Sequence, residues 1–530
     1  MCAYRVLVCG NLSESGLKIF EQAKGIEIDR KPELNQEQLL NIIADYDGVV
    51  VRSDTRITAP VIAAGKRLKV IGRAGTGVDN IDVPAATQQG IVVMNTPGGN
   101  TITTGEHALA LLVALARNIP QATASMKAGK WEKKKFSGVE LFNKVLGIIG
   151  VGRIGGVVAS RANGYGMRVI AYDPYLTREA AAKLNVELVS LDELYTRADF
   201  ITIHTPLTAE TRNLINKEAL AKMKTGVRII NCARGGLIDE TDLYDAIKAG
   251  KVAGAALDVF VEEPLPTNHP LLTLDEVICT PHLGASTVEA QVNVAVAIAE
   301  QVVDFLLNGT IRGAVNVPAI NMEVLAQINP YIELGEKIGR FQGQAFGYNV
   351  KRIHIEYAGA VVEYDVRPIT QAILVGLLAP TSERVNFVNA SLVAEERGIR
   401  ISESLSRRAV DFASMIEVMM ETDNQQSRVA GALFSEKDLR IVRINGFHLE
   451  AIPKGHMLVC SNRDVPGVLG RFCTLLGTNG VNIGRLYLGR KEVGGVAIML
   501  CQIDTPASDE LLTELHQMPD ILSAKRVFLP

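Results

Sequence analysis

The stretch Lys144–Asp173, KVLGIIGVGRIGGVVASRANGYGMRVIAYD, decides the fold. Its apolar start, Val145–Ile149, reads as a buried strand; G-V-G-R-I-G follows, and then a helical stretch toward Gly164. That order suits a dinucleotide. Gly150 permits the tight turn, Gly152 lets the backbone approach a pyrophosphate, and Gly155 lets the helix pack on the strand. The free amides and positive dipole end of the helix can receive phosphates. Asp173 closes the next strand-like run at the distance where a carboxylate accepts both ribose hydroxyls. A carboxylate there repels a 2′-phosphate, so NAD is expected over NADP. A lone GxGxxG is weak evidence, because glycine turns are common. Strand before, helix after and acid at the right distance make the reading firm.

The pattern continues outward. DFITIH ends at Thr205, GVRIINCA at Arg234, VAGAAL at Asp258 and EVICTP at His282. An open parallel α/β sheet binds ligands beyond the carboxyl ends of its strands, so polar residues at strand after strand predict a nicotinamide-dependent dehydrogenase. Oxidising a secondary alcohol needs a base for its proton and a cation for an adjacent carboxylate. His282 is the candidate base, titrating near neutrality. Glu263, in DVFVEEP, is placed to bond its other ring nitrogen and raise its pKa. Arg234, in NCARGG, offers a planar bidentate donor. Taken singly, each has a plainer explanation: a packing histidine after Pro281, a solvated acidic loop at Glu262–Glu263, an arginine paired with Asp239 or Asp258. Together, at the edge of one sheet beside a dinucleotide fingerprint, they favour catalysis.

The 530 residues predict three or four domains. With 55 basic against 58 acidic residues, charge argues against nucleic acid or membrane as the main partner. The seven cysteines are scattered without C-x-x-C spacing, as in a reducing compartment, and MCAYRVLVCG reads as a strand rather than a leader. No metal site is expected, and a cytoplasmic location is. The longest apolar run, around Ala108–Ala116, is read as a core helix too short to span a membrane.

Up to about Pro97, strand-like runs (Arg5–Cys9, Gly48–Arg52, Val70–Gly72, Ile91–Asn95) alternate with helical patterns. TITTGEHALALLVALAR then predicts a long helix into the dinucleotide unit. STVEAQVNVAVAIAEQVVDFLLNG predicts another, stopped at Gly309, that carries the chain back to the first unit. The expected fold is therefore α/β: a Rossmann-type doubly wound parallel sheet (residues 99–283) and a discontinuous flavodoxin-like substrate domain (1–98 and 284–316). After NVPAI (316–320) the character changes, giving an α+β unit over 317–452 and a ferredoxin-like βαββαβ unit over 453–530.

As an ordered set, VRSDT (51–55), GRAGTGVDNID (72–82), VMNTPGGNT (93–101), GVGRIG, HTPLT (204–208), NCARGGLIDE (231–240), ALDVFVEEP (256–264) and TPHLGAST (280–287) resemble the D-isomer-specific 2-hydroxyacid dehydrogenase family. They cover roughly the first three-fifths of the chain. The tail is similar to the family's long form: 321–450 to an intervening, allosteric substrate-binding domain, and NRDVPGVLGRF (462–472) with GVNIGRLYLGR (480–490) to an ACT domain. The resemblance implies Arg234, Glu263 and His282 as the catalytic trio. It implies cofactor contacts at Thr76, Gly150, Gly152, Arg153, Ile154, Gly155, Asp173, Thr205, Cys232, Ala233, Asp258 and Gly284. It assigns a substrate phosphate to Arg52 and Arg73 and a carboxylate to backbone amides at Gly75–Val78, and it puts Lys133–Lys135 of KWEKKKF near the cleft mouth, with Lys133 reaching toward a neighbouring subunit's site; the plainer reading of that run is a solvated loop. Asn462, Asp464 and Asn482 match an amino-acid effector site, although Asp464 equally suits a helix cap. The implied activity is NAD-dependent oxidation of 3-phospho-D-glycerate to 3-phosphohydroxypyruvate, opening serine synthesis, in a homotetramer with L-serine as effector. The alternatives are a hydroxypyruvate or glyoxylate reductase, lacking the phosphate arginines and the tail, and an NADH-sensing regulator.

Overall fold

A computed structural model describes residues 3–318, 322–347, 349–381, 385–408, 411–423, 425–435 and 438–530. Residues 319–320 of NVPAI and 382–384 of the segment after it lie outside the described residues.

The first sheet holds β1 (Tyr4–Cys9), β2 (Ile26–Lys31), β3 (Gly48–Val51), β4 (Val70–Arg73) and β5 (Val92–Asn95), all parallel, in the order β2-β1-β3-β4-β5. That is the flavodoxin-like order. The second holds β6 (Val145–Ile149), β7 (Arg168–Tyr172), β8 (Glu187–Leu188), β9 (Phe200–Ile203), β10 (Val227–Asn231), β11 (Val252–Leu257) and β12 (Val277–Cys279). Its order, β12-β11-β10-β9-β6-β7-β8, is the doubly wound dinucleotide arrangement extended by one strand, with the switch point between β6 and β9. Their strands read as near-continuous Val/Ile/Leu runs because helices cover both faces.

Two long helices join the units. Thr101–Arg117 starts after Asn100 and stops at Asn118, which sits in the left-handed region. Val288–Asn308 is capped by the Thr287 hydroxyl and ended by Gly309 at φ 72°. It lays Val294, Ile298, Val302 and Leu306 into the core of the first sheet. There it crosses the Glu14–Gln22 helix so closely that a Cβ on Gly16 would lie 2.6 Å from the Ala295 carbonyl. This helix of 21 residues, with an 18-residue window of mean hydropathy 1.4, is long and apolar enough by composition to cross a membrane. Polar and charged residues interrupt its apolar run, and one side of the helix packs in the core of the first sheet. Where the two crossings meet, Thr104 Oγ1 donates to the Gly284 carbonyl (2.9 Å) and the Thr103 and Thr287 hydroxyls lie 3.2 Å apart.

The third sheet, β13 (Val350–Gly359), β14 (Arg400–Ser406), β15 (Ser414–Thr422), β16 (Gln426–Ser435), β17 (Asp438–Ile444) and β18 (Phe447–Ala451), runs β14-β13-β15-β16-β17-β18. The fourth, β19 (Gly455–Arg463), β20 (Ile483–Arg490), β21 (Val496–Ile503) and β22 (Ile521–Leu529), runs β20-β21-β19-β22, the ferredoxin-like order. One face of the fourth sheet carries the Val468–Thr478 and Asp509–Gln517 helices. Its other face shares a core with the helix Met322–Phe346: Met457, Val459, Leu500 and Val527 pack with Leu334, Ile338 and Phe341. The third unit also grips the first. Val388 is buried in the core of the first sheet, and Asn386 Nδ2 donates to the Gly90 carbonyl (2.8 Å) just before β5.

Candidate active site

The dinucleotide loop is built as its glycines require. Gly150 has φ 89°, and a Cβ there would lie 2.8 Å from the His204 carbonyl. At Gly155 a Cβ would meet the Gly150 carbonyl at 2.1 Å; at Gly152 it would meet nothing within 4 Å. The loop thus packs tightly on the protein side and is open on the ligand side. Arg153 and Ile154 begin the helix Arg153–Gly164, beyond the cap Gly152. Asp173 Oδ2 accepts from the Val151 amide (2.8 Å) and Oδ1 from the Tyr175 amide (2.9 Å), so this carboxylate is fastened to the loop while each oxygen keeps a lone pair. Thr205 Oγ1 is buried with no hydrogen-bond partner among the described residues. That orphaned hydroxyl, the open Gly152 and the free helix start are the donor set NAD needs. Cys232 is buried and its thiol pushed well above its usual range by that burial, so it is neutral.

His282 sits at φ 55°, with its amide bonded to the Asp258 (2.9 Å) and Thr280 (3.0 Å) carbonyls. The turn is held by Asp258, fully buried, whose carboxylate accepts from the Leu283 and Gly284 amides (both 2.8 Å) and the Thr280 hydroxyl (2.6 Å) and lies 3.1 Å from His107 Nε2. Burial opposes the charge on Asp258, yet these hydrogen bonds hold its carboxyl below the usual range. His282 Nδ1 lies 2.7 Å from Glu263 Oε2, while Glu263 Oε1 accepts from the Phe260 amide (3.0 Å). The Glu263 hydrogen bond raises the His282 pKa above its ordinary value against burial and the Arg234 charge. Burial works against the Glu263 charge too, but the bonds from His282 and Phe260 win and lower its pKa.

Arg234 lies on the turn after β10, bracketed by Asn231, whose side chain donates to the Arg234 carbonyl (2.8 Å) and accepts from the Ala233 amide (3.0 Å). The sequence offered Asp239 or Asp258 as plain partners. Neither takes it: Asp239 caps the helix Glu240–Lys248 and Asp258 holds the His282 turn. Arg234 Nε instead donates to Asp79 Oδ2 (2.8 Å) and Nη1 to the Ala233 carbonyl (2.7 Å).

Facing this across the cleft, Arg73 ends β4 and Arg52 follows β3. Arg73 Nε is buried and unpartnered among the described residues, while Nη1 donates to the Ala74 carbonyl (2.7 Å). Burial, then the charges of Arg234 and Arg52, pull the Arg73 guanidinium down to about 10. Three arginines that repel one another define a place for an anion. Gly75, at φ 149°, leaves room for that guanidinium. The resemblance gave its amide to a substrate carboxylate, but here that amide donates to the Arg73 carbonyl (2.8 Å). Thr76 Oγ1 donates to Asn100 Oδ1 (2.7 Å), which anchors the loop.

One expectation is corrected. Lys133–Lys135 are exposed, and Lys135 lies 3.6 Å from Asp275, which precedes β12 at the edge opposite His282, not at the mouth of its own cleft. Asp464 and Asn482 lie at opposite ends of the fourth sheet, since β19 and β20 both run antiparallel to β21. Asp464 accepts from Arg490 Nη1 (3.1 Å) and Asn482 donates to Asp504 (2.7 Å), so one copy does not bring them together. Asn462 is buried beside the first of these, its Oδ1 unpartnered among the described residues. Sequence reasoning passed over Asp79, Asn80 and His107, although the first two lie inside GRAGTGVDNID.

The NAD-binding domain model of the D-isomer specific 2-hydroxyacid dehydrogenases matches residues 109–284, and a glyoxylate reductase from Paecilomyes thermophila superposes with a TM-score of 0.55 at 31% identity, over 59% of this chain and 99% of that one. With the dyad, Arg234 and the glycine loop at one sheet edge, and Arg52 and Arg73 facing them, the chain belongs to this family of NAD-dependent oxidoreductases. The second half narrows the membership. Residues 327–445 match the D-3-phosphoglycerate dehydrogenase intervening domain and 456–520 the ACT domain. D-3-phosphoglycerate dehydrogenases from Synechocystis (45% identical, 99% of this chain, 95% of that) and Archaeoglobus fulgidus (44%, 99% and 100%) align end to end, and it is in this group that the chain falls.

Proposed function

We propose that the chain oxidises 3-phospho-D-glycerate to 3-phosphohydroxypyruvate with NAD, the opening step of serine synthesis. The observation that carries the reading is the convergence of Arg52 and Arg73, across the cleft, with Arg234 beside the Glu263–His282 dyad. Arg52 and Arg73 hold the phosphate; Arg234 holds the carboxylate and the C2 oxygen. Glu263 keeps the proton on His282 Nδ1, so Nε2 presents its lone pair to the C2 hydroxyl and takes its proton, and the imidazolium formed is stabilised by the same carboxylate. NAD, when bound, supplies the hydride acceptor. Gly150, Gly152 and Gly155, with Arg153, Ile154, Asp173, Thr205 and the Cys232–Ala233 turn, hold that cofactor; Thr76 and Gly284 contribute from the two crossings and Asp258 fixes the base. The domain division 1–98 with 284–316, 99–283, 317–452 and 453–530 follows the four sheets.

The same reading extends to assembly and control. The helix Ile119–Lys127 buries none of its side chains, and Ile119, Met126, Trp131 and Phe142 are exposed around it, which suits contact with another copy in a homotetramer. Lys133 on that surface would then reach a neighbour's cleft. If two fourth sheets pair antiparallel along β20, Asn482 of a second copy comes to the Asp464 end, closing a site for L-serine. Such a chain works in the cytoplasm. Steady-state oxidation of 3-phosphoglycerate with NAD tests the function. His282→Asn is expected to lower turnover by about two to four orders of magnitude with NADH binding retained; near-normal turnover removes His282 from the mechanism.

A further inference from the structure

The loop Gly77–Asn80 touches both halves of the cleft. Asp79 Oδ2 accepts from Arg234 Nε at 2.8 Å, an ion pair between residues 155 positions apart on opposite sides of the cleft. The guanidinium lies flat against the loop: a Cβ on Gly77 would sit 2.0 Å from Arg234 Nη2 and 2.8 Å from Asp79 Oδ2. Gly77 has no left-handed backbone, so what its missing side chain supplies is the space the guanidinium fills. Next door, Asn80 Nδ2 donates to the Arg52 (2.8 Å) and Thr55 (2.6 Å) carbonyls, and its own carbonyl accepts from the Ile57 amide (2.8 Å). Adjacent residues therefore face two ways, Asp79 toward the carboxylate-binding arginine and Asn80 toward the backbone of the phosphate-binding one.

We propose that Asp79 is the positioning residue for Arg234: its carboxylate grips Nε across the cleft, Gly77 provides the seat, and Nη2 is turned to the substrate carboxylate only when the two units are together. This rests on the reading of Arg234 as the carboxylate-binding group. With Nε held by Asp79 and Nη1 by the Ala233 carbonyl, Nη2 has no hydrogen-bond partner among the described residues. A guanidinium held at two corners presents its third without further loss of freedom. The aspartate also supplies the negative charge that three converging arginines need when no substrate is present. A cleft that opens breaks the pair, so Arg234 reaches its working orientation only on closure.

The test is a double-mutant cycle in the full-length enzyme, with NADH binding as the control for folding. Asp79→Ala is expected to raise KM for 3-phosphoglycerate and lower kcat, each about tenfold, and Asp79→Asn, which can still accept from Nε, to recover most of both. Gly77→Ala should reproduce the Asp79→Ala phenotype. Asp79→Ala should also move the acid limb of the kcat/KM profile to lower pH, because an Arg234 charge no longer offset by Asp79 disfavours the His282 imidazolium. In an Arg234→Ala background the Asp79 substitution should add nothing. If Arg234→Ala is impaired while Asp79→Ala is silent, or if the two effects add, Asp79 does not act through Arg234 and the inference fails alone. If Arg234→Ala is itself near normal, the assignment of Arg234 fails and takes this with it.

Discussion

Replacing Glu263 by Gln changes one atom and should disturb the base in two separable ways. The carboxylate now accepts at both oxygens, from the Phe260 amide and from His282 Nδ1. An amide has one acceptor and one donor end, so glutamine satisfies only one of these partners as the glutamate does. If its oxygen stays with His282, the Phe260 amide faces an NH2 group. If the oxygen turns to Phe260, the NH2 donates to Nδ1, and the ring proton moves to Nε2, where a base needs its lone pair. Part of the population then holds the wrong tautomer at every pH. Charge is the second effect. A hydrogen bond to a charged group contributes about 1.5–3 kcal/mol. The two side chains are 46% and 37% exposed, so screening puts the pair at the low end or below it, about 1.4 kcal/mol, or about one pKa unit. The sign is fixed by what remains: burial and Arg234 lower the His282 pKa, and only the Asp258 charge still raises it. Oxidation needs neutral His282, so activity rises with pH through that pKa. The acid limb of kcat/KM for 3-phosphoglycerate should therefore move down by about one pH unit, with a lower plateau from the tautomer. Rate profiles from pH 5 to 10 read both, and an acid limb that stays put or moves upward refutes the reasoning.

Arg52→Ala and Arg73→Ala should each raise KM for phosphoglycerate about ten- to a hundredfold, with little change for an unphosphorylated 2-hydroxy acid; equal losses on both substrates would make these arginines structural. Asp173→Ala should weaken NAD about tenfold and narrow the gap to NADP, since it removes the ribose acceptor and its hold on the Val151 amide together; calorimetry with both cofactors checks it, and a wild type that already takes NADP equally well defeats it. L-serine should bind the full-length enzyme but not its Asp464→Ala variant, while uninhibited kcat is unchanged in that variant. The intact chain is needed because the fourth sheet shares its core with Met322–Phe346, which an isolated tail would leave exposed.

The sequence made the dinucleotide unit readable because strand runs, glycines and polar strand ends repeat at a regular period, and backbone geometry enforces each of them. The Glu263–His282 pair was foreseeable for the same reason: both residues hang from neighbouring strand ends, β11 and β12. What stayed hidden depends on how distant segments meet. Asp79 and Arg234 come together only when two sheets face each other. Lys135 was placed at the wrong edge because a long loop gives no sign of which end of a sheet it returns to. Asp464 and Asn482 matched an effector site by motif alone; which copy supplies each could not be read, because the sequence does not show that β21 lies between their strands. The length of Val288–Asn308 was legible, but its average hydropathy was missed by reading only unbroken apolar runs, since Glu289, Gln291, Asn293, Glu300, Gln301 and Asp304 interrupt this one.

The grip of Asn386 and Val388 on the first sheet falls at Gly90, on the amino end of β5, whereas Asn95 and the cleft lie at its carboxyl end. Four residues of strand, about 13 Å, separate the two, and between them the sheet is packed on both sides. So short a strand, packed on both faces, is a stiff element from Gly90 to Asn95. The back half of the chain therefore holds the front half at the end of β5 away from the cleft, by residues that stand outside the cleft itself.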